Sequence, residues 1–495
     1  MGISGFGIPI LARGNHGAAS PIYLNRFQAG CNVSFLICLA ALAFLMFVAY
    51  RGYSVILFAP VAAMAAVLLT DPSAVAPIFS GLFMDKMVGF VKNYFPVFLL
   101  GAVFGKVIEL SGFSKSIVSS VIGLVGRGRA IIAIVVVCGL LTYGGVSLFV
   151  VVFAVYPFAV EMFKQSDIPK RLIPGTIALG AFTFTMDSLP GTPQIQNIIP
   201  TTFFKTDVYA APGLGIIGGL FIFVCGITYL EWRRRQALAA GEGYGTGHTN
   251  EPEPIAKTAL VNPWIAILPL VAVGVINYLF TNLIRSNYGK TYEVAMPGLA
   301  KPLSIDVTAV TAIWAVEGAL LVGILLVFAF GFNQLKSKFA DGSKAAIAGA
   351  LLASMNTASE YGFGAVIASL PGFIVIRDAL KAIPNPLVNE AISVTTLAGI
   401  TGSASGGMSI ALAAMANDFL AAANAAGIPP EVLHRVAAMA SGGMDTLPHN
   451  GAVITLLAVC GLTHRQSYKD IFAVTCLKTV AVFVVIAVYY LTGIV

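Results

Sequence analysis

The chain has 495 residues, of which 58% are hydrophobic and only 10% charged, with a mean hydropathy of +0.88. Soluble domains carry about 25% charged residues, so no soluble fold could hide this much apolar surface. The net charge of +7 is thinly spread; it forms no stripe for nucleic acid, and its use is to orient loops, since basic loops stay cytoplasmic.

Residues 1–32 are Gly-rich and weakly polar, lack a cleavable-signal pattern, and read as a loose N-terminal arm. Apolar stretches near the roughly 20 residues that span a bilayer then follow. The first are 33–50 and 52–70, with Arg51 between them; a mixed stretch reaches Phe95, and 96–110 is apolar again. A short amphipathic piece, 113–126, ends in Arg127 and Arg129. The apolar run 131–163 is interrupted at Thr142-Tyr143-Gly144-Gly145, the run 172–204 at 187–193, and 212–230 ends at Arg233-Arg234-Arg235. Residues 236–261 are polar and read as a flexible cytoplasmic linker. The second half repeats the order: 263–280, 305–332, 345–370, an amphipathic piece at 371–384, 387–420 interrupted at 403–407, 432–462 interrupted at 445–451, and 471–495. The six cysteines have no CxxC spacing, sit mostly singly in apolar runs, and suggest neither a metal nor a cofactor.

Residue matches tie the halves together. Thr142–Ser147 answers Ala404–Ser409, Asp167-Ile168-Pro169 answers Gly427-Ile428-Pro429, and Met186-Asp187-Ser188-Leu189-Pro190 answers Met444-Asp445-Thr446-Leu447-Pro448. Arg127, Arg129, Lys164, Lys170 and Arg171 flank both ends of 131–163. That run therefore dips in from the cytoplasm and returns. The flanks of 387–420 are less basic, Arg377 and Lys381 being offset by Asp378 and Arg435 by Glu431, which suits a hairpin opening to the other side. The expected fold is an all-α polytopic membrane protein of two inverted-topology repeats, 33–235 and 262–495. Each has five crossings, one of them broken, and one re-entrant helical hairpin. Such repeats are the hallmark of secondary transporters. Both termini are then expected outside the cytoplasm, in a multi-pass protein of the bacterial inner membrane.

The two breaks carry the chemistry. In Asp187-Ser188-Leu189-Pro190-Gly191-Thr192-Pro193 the prolines cannot continue a helix, and irregular backbone at membrane depth is tolerated only where protein buries it or water lines it. The half-helix starting near Gln194 would offer free N–H groups and its positive dipole end to an anion. Asp445-Thr446-Leu447-Pro448-His449-Asn450-Gly451 is the matching break, and His449, read as the only intramembrane histidine, could titrate near neutral pH. The hairpin turns Gly144-Gly145-Val146-Ser147 and Ser405-Gly406-Gly407-Met408-Ser409 combine sharp-turning glycines with hydroxyls that could hold a small carboxylate or a cation. Asn356, Thr357 and Glu360 lie inside 345–370, where an ionisable group is a functional candidate by default. Candidate proton carriers are Asp445, Asp187 and Glu360. The bland readings are a proline kink with interfacial Asp, a packing histidine, and small-residue helix contacts.

The stretch Asn356–Glu360, the Gly427-Ile428-Pro429 lead-in and the paired breaks resemble the gluconate/proton symporter family of the ion transporter superfamily, over nearly the whole chain beyond residue 30. Family members carry a Pro-Pro-His-Pro-like first break and a His-Val-Asn-Asp-Ser-Gly-like second one. Here Ser-Leu-Pro-Gly-Thr-Pro and Thr-Leu-Pro-His-Asn-Gly stand instead, a variant more similar to the D-3-hydroxybutyrate permease branch. The resemblance implies proton-coupled uptake of a small organic anion, a hydroxy monocarboxylate, by a homodimer with an elevator-type transport domain. Competing classes are a sodium/proton antiporter or sodium-coupled carboxylate transporter of the same superfamily, a channel, and an intramembrane aspartyl protease. The protease would want a Gly-x-Gly-Asp pattern, whereas Asp445 follows Gly442-Gly443-Met444.

Overall fold

The computed structural model describes residues 21–495 apart from 52, 127–128, 253–259, 299–300, 374, 376–382 and 449. It is all-helical except for one exposed antiparallel ribbon, in which Thr291–Val294 pairs with Leu303–Asp306. Six of the described helices are long and apolar enough to cross a membrane: Pro72–Leu110, Pro212–Ala239, Pro263–Tyr288, Val307–Leu335, Ala404–Ala425 and His464–Thr492.

The helices sort into two bundles by what they pack against. The first comprises Pro21–Tyr50, Val55–Thr70 and Pro72–Leu110 from the first half, with Pro263–Tyr288, Val307–Leu335 and Phe339–Ser369 from the second. Its main seams join Met84–Leu110 to Phe339–Ser369 and Pro263–Tyr288 to Val307–Leu335, so the first seam ties the two halves together and the second lies within the second half. Sequence reading began a span at Pro96, where the apolar run begins. The helix instead runs unbroken through Pro96 from Met84, and near its start Phe90 packs on Tyr361 of Phe339–Ser369. The first helix likewise starts at Pro21, inside the expected arm.

The second bundle holds two helical hairpins, Ala130–Tyr143 with Leu148–Gln165 and Pro386–Thr401 with Ala404–Ala425. It also holds two broken helices, Ile173–Ala181 with Ile195–Phe204 and Pro430–Ser441 with Gly451–Cys460, and the closing helices Pro212–Ala239 and His464–Thr492. The hairpin arms are unequal: at 1.5 Å per residue the 22-residue Ala404–Ala425 is about 33 Å long, whereas the 14 residues of Ala130–Tyr143 reach about 21 Å. The closing helices pack antiparallel. Arg233 meets Asp470 at 2.7 Å near one end, and the Gly213 N–H donates to the Val495 carbonyl at 3.2 Å at the other. The C-terminus therefore lies at the end of this bundle opposite the chain that leaves Ala239.

That connecting chain differs from the expected flexible linker. Gln236–Ala239 still belongs to the helix, and residues 240–252 are strapped across one end of the second bundle; 253–259 lie outside the described residues. Arg171 grips Glu242 with two bonds of 2.7 Å, Asp167 accepts from the Tyr244 N–H, and Lys170 donates to the Thr249 carbonyl and to Glu251. Asn250 and Thr249 reach the carbonyls of Val459 and Gly461 at the end of the second broken helix. Burial alone would raise the Glu251 carboxyl, but hydrogen bonds from Lys164, Lys170 and Tyr244 win and hold it at about 2. Composition made this segment look soluble and free; its ion pairs, formed with Lys164, Lys170 and Arg171, dock it.

Candidate functional site

The first break begins earlier than the prolines. The helix from Ile173 stops at Ala181, a single turn Phe184–Asp187 follows, and the chain then runs irregularly to Gln194. Its backbone groups are satisfied locally. The Thr192 hydroxyl donates to the Thr185 carbonyl, Asn197 donates to the carbonyls of Thr192 and Val208, and Gly191, at φ +81°, donates its N–H to Val208. The half-helix Ile195–Phe204 has no side-chain cap at Gln194; the Asn197 N–H donates to the Gln194 carbonyl, and the N–H groups of Ile195 and Gln196 receive no side-chain cap. In the second break, from Gly442 to Asn450, Thr446 pairs with Thr475 at 2.5 Å and Tyr468 donates to the Thr446 carbonyl. Here Asn450 does cap its half-helix, accepting from the Val453 N–H at 2.9 Å.

Each break is latched to the tip of the hairpin from its own half by an amide. Gln194 donates to the Thr142 carbonyl at 2.7 Å, and Asn450 donates to the Gly402 carbonyl at 2.7 Å. At the first tip Gly145, at φ +93°, packs on Pro193, and Gly144 packs on Leu270 of the first bundle, with Ser147 half-buried beside them. At the second tip Gly407 lets its helix cross directly on the Ala398 backbone.

The two breaks meet each other. Asp187 is buried, its Oδ1 accepting from Ser188 at 2.7 Å and its Oδ2 lying against Gly442 with no donor. Asp445 is buried and its Oδ1 receives Lys478 at 2.6 Å; Lys478 also donates to the Phe182 carbonyl, which ends the first half-helix. Arg435 is fully buried, donating to the Ala210 and Asp187 carbonyls and to Asn197. His434 beside it pairs with Thr206 and Asn197. Asp187 lies within electrostatic range of Lys478, Asp445 and Arg435.

A second locus forms where the bundles touch. Glu360 of Phe339–Ser369 is buried against Gly406 at the second hairpin tip, with its Oε2 unpartnered, and Thr357 shares a 3.3 Å contact with Ser405. Asn356 is half-buried nearby on the same helix, and the buried Ser409 hydroxyl has no partner. A cavity of about 310 Å³ opens beside it, lined by Asp85, Lys86, Asn93, Tyr94, Thr202 and Tyr361. A larger one of about 480 Å³, mostly apolar, lies between the first hairpin tip and Pro263–Tyr288.

Several of these residues escaped the sequence reading. His449 lies outside the described residues, and His434, which the sequence did not single out, is fully buried. Arg435, beside Glu431 in a stretch whose sequence suggests a hairpin flank, is a core residue, because its guanidinium closes the Asp187 carbonyl in the first break and the Ala210 carbonyl in the loop beyond the half-helix. Lys478 carried a usable signal, a lone charge deep inside an apolar span, which is a functional candidate by default. Glu390, on the second hairpin, is buried with both oxygens unpartnered and was also overlooked.

YxjC of Bacillus subtilis (strain 168), described as an uncharacterized transporter, is 58% identical to this chain over 469 residues, 93% of this chain and 99% of its own length. The chain belongs to the YxjC transporter family. No protein-family model matches the sequence. Among solved structures, MtrF of Neisseria gonorrhoeae, reported within a class of antimetabolite efflux pumps, superposes with a TM-score of 0.53 at 12% identity, covering 85% of each chain. That identity speaks for a shared fold alone. YdaH of Alcanivorax borkumensis gives a TM-score of 0.47 at 13% identity, over 94% of this chain and 98% of its own.

Proposed function

We propose that the chain is a secondary active transporter that takes up a small hydroxy monocarboxylate, D-3-hydroxybutyrate or a gluconate-like sugar acid, together with protons. The observation that carries this reading is the meeting of two helix breaks, one from each half, at a buried cluster holding Asp187, Asp445, Arg435 and Lys478. Ionisable groups at membrane depth are kept where substrates or protons pass, and the half-helix start after Gln194, which has no side-chain cap, favours an anion. The halves would be inverted repeats in the inner membrane. The connecting strap would then be cytoplasmic and both termini outside. The bundle of hairpins and broken helices would slide against the other, which would form the interface of a homodimer. Glu360 sits on that sliding seam. Asn356, Thr357, Ser405, Gly406 and Ser409 there, with Ser188, Gly191, Thr192, Gln194, Thr446 and Asn450 at the breaks, are the candidate substrate contacts.

The test is uptake of labelled hydroxy and keto acids by proteoliposomes, with and without proton and sodium gradients. Accumulation of a monocarboxylate on a proton gradient supports the reading; uptake indifferent to both gradients removes it. A sodium-coupled carboxylate transporter is the second reading. It is favoured by the unpartnered carboxylate oxygens of Glu360 and Glu390, which would suit a hard cation.

A further inference from the structure

We propose that Asp187 is the proton carrier and that each monocarboxylate crosses with one proton as an electrically neutral load, while Asp445 and Lys478 stay a fixed ion pair. This deepens the proposed function and rests on it.

Four ionisable side chains line the meeting of the breaks, each at 3% exposure or less: Asp187, Asp445, Arg435 and Lys478. Fully ionised, they sum to zero. A carboxylate substrate seated among them adds one negative charge, and an uncompensated ion out of water costs several kcal/mol. One proton restores the balance, and the hydrogen bonds decide which acid takes it. Protonating Asp445 would orphan Lys478, which it holds at 2.6 Å. Asp187 has no such partner: its Oδ1 takes only the Ser188 hydroxyl, and its Oδ2 takes nothing. Arg435 makes no hydrogen bond to this carboxylate: four of its five N–H groups go to the Ala210 and Asp187 main-chain carbonyls and to Asn197. The other titratable groups around the break are engaged elsewhere. His434 pairs with Thr206 and Asn197, and the Tyr143 hydroxyl donates to the Pro190 carbonyl. A proton on Asp187 therefore breaks no ion pair, and a buried acceptor without a donor is the group whose burial is otherwise most costly.

The experiment uses the purified full chain in proteoliposomes with labelled D-3-hydroxybutyrate as probe and the membrane potential clamped with potassium and valinomycin. A gradient of one pH unit, acid outside, should concentrate the probe roughly tenfold, since about 1.4 kcal/mol is a factor of ten. A potential without a pH gradient should concentrate nothing. Asp187→Asn should keep counterflow exchange and lose the pH-driven gain. In detergent, adding the probe to the unmodified protein should draw one proton from a weakly buffered solution, and none with the variant. This reading needs no transport and serves if the variant reconstitutes poorly. PH-driven accumulation by Asp187→Asn, or potential-driven uptake by the unmodified protein, would overturn the assignment while leaving the transporter reading intact. Failure of the unmodified protein to move any of the acid panel would instead take down the functional reading, and this proposal with it.

Discussion

Lys478, in the last helix, and Asp445, in the second break, are joined at 2.6 Å with both side chains buried. Removing one member of such a pair leaves a buried charge alone, at a cost of about 3–5 kcal/mol, whereas replacing both by apolar groups is often neutral. Lys478→Met should therefore lower the melting temperature in detergent markedly, and adding Asp445→Leu should recover much of the loss. If Lys478→Met melts like the unmodified protein, the pair is not formed in the membrane.

The two amide latches should differ in what they contribute to stability. Asn450→Ala removes a helix cap worth about 0.5–2 kcal/mol and also the bond to the Gly402 carbonyl. Gln194→Ala removes only a bond to Thr142 and a weaker one to Val146, because Gln194 does not cap its helix through its side chain. Thermal unfolding should show the larger loss for Asn450→Ala. Equal losses would mean that the cap contributes nothing.

The glycines at the second hairpin tip should behave differently from each other. A methyl at Gly407 would fall on the Ala398 backbone, which cannot step aside, whereas a methyl at Gly406 meets the end of the Glu360 side chain, which can. Gly407→Ala should cost about 1–3 kcal/mol by overpacking. Gly406→Ala should stay folded and displace the Glu360 carboxylate, with transport lost ahead of stability. Melting curves and uptake at matched expression check both.

The strap gives the pH prediction. Glu251 is held at about 2, below the ordinary 4.5. Its docked, charged form is favoured relative to a released strap, so its contribution is complete above about 4.5 and is lost as the pH falls toward 2. Hydrogen exchange of residues 242–251 should show opening free energies unchanged from about pH 5 upward. Glu251→Gln should weaken docking by about 1–3 kcal/mol through lost charge-assisted bonds. Protection unchanged in that variant would show that Arg171 and Asp167 suffice.

Topology follows from the antiparallel closing helices. A cysteine at 495 should be labelled by an impermeant reagent from the outside of cells and one at 241 should be protected, because the two lie at opposite ends of one helix pair. Labelling of both, or protection of both, would break the expected arrangement.

What the sequence determined by itself is whatever local chemistry dictates. An apolar composition with scattered charges forces a helical membrane protein, since lipid offers backbone groups no partner. Gly144-Gly145 marks where a hairpin turns, and Pro190, Pro193 and Pro448 keep the two breaks from closing into helix, because a missing donor or a left-handed turn acts within a few residues. What only the tertiary structure decided is which charges meet. Lys478 finds Asp445 from 33 residues away, and Arg435 finds the Asp187 carbonyl from 248 away. The strap docks because Lys164, Lys170 and Arg171 are brought beside it. Nothing in a run of residues tells whether an arginine beside a glutamate flanks a loop or closes a distant helix break. That depends on which open carbonyls packing brings within reach, and packing is a property of the whole chain.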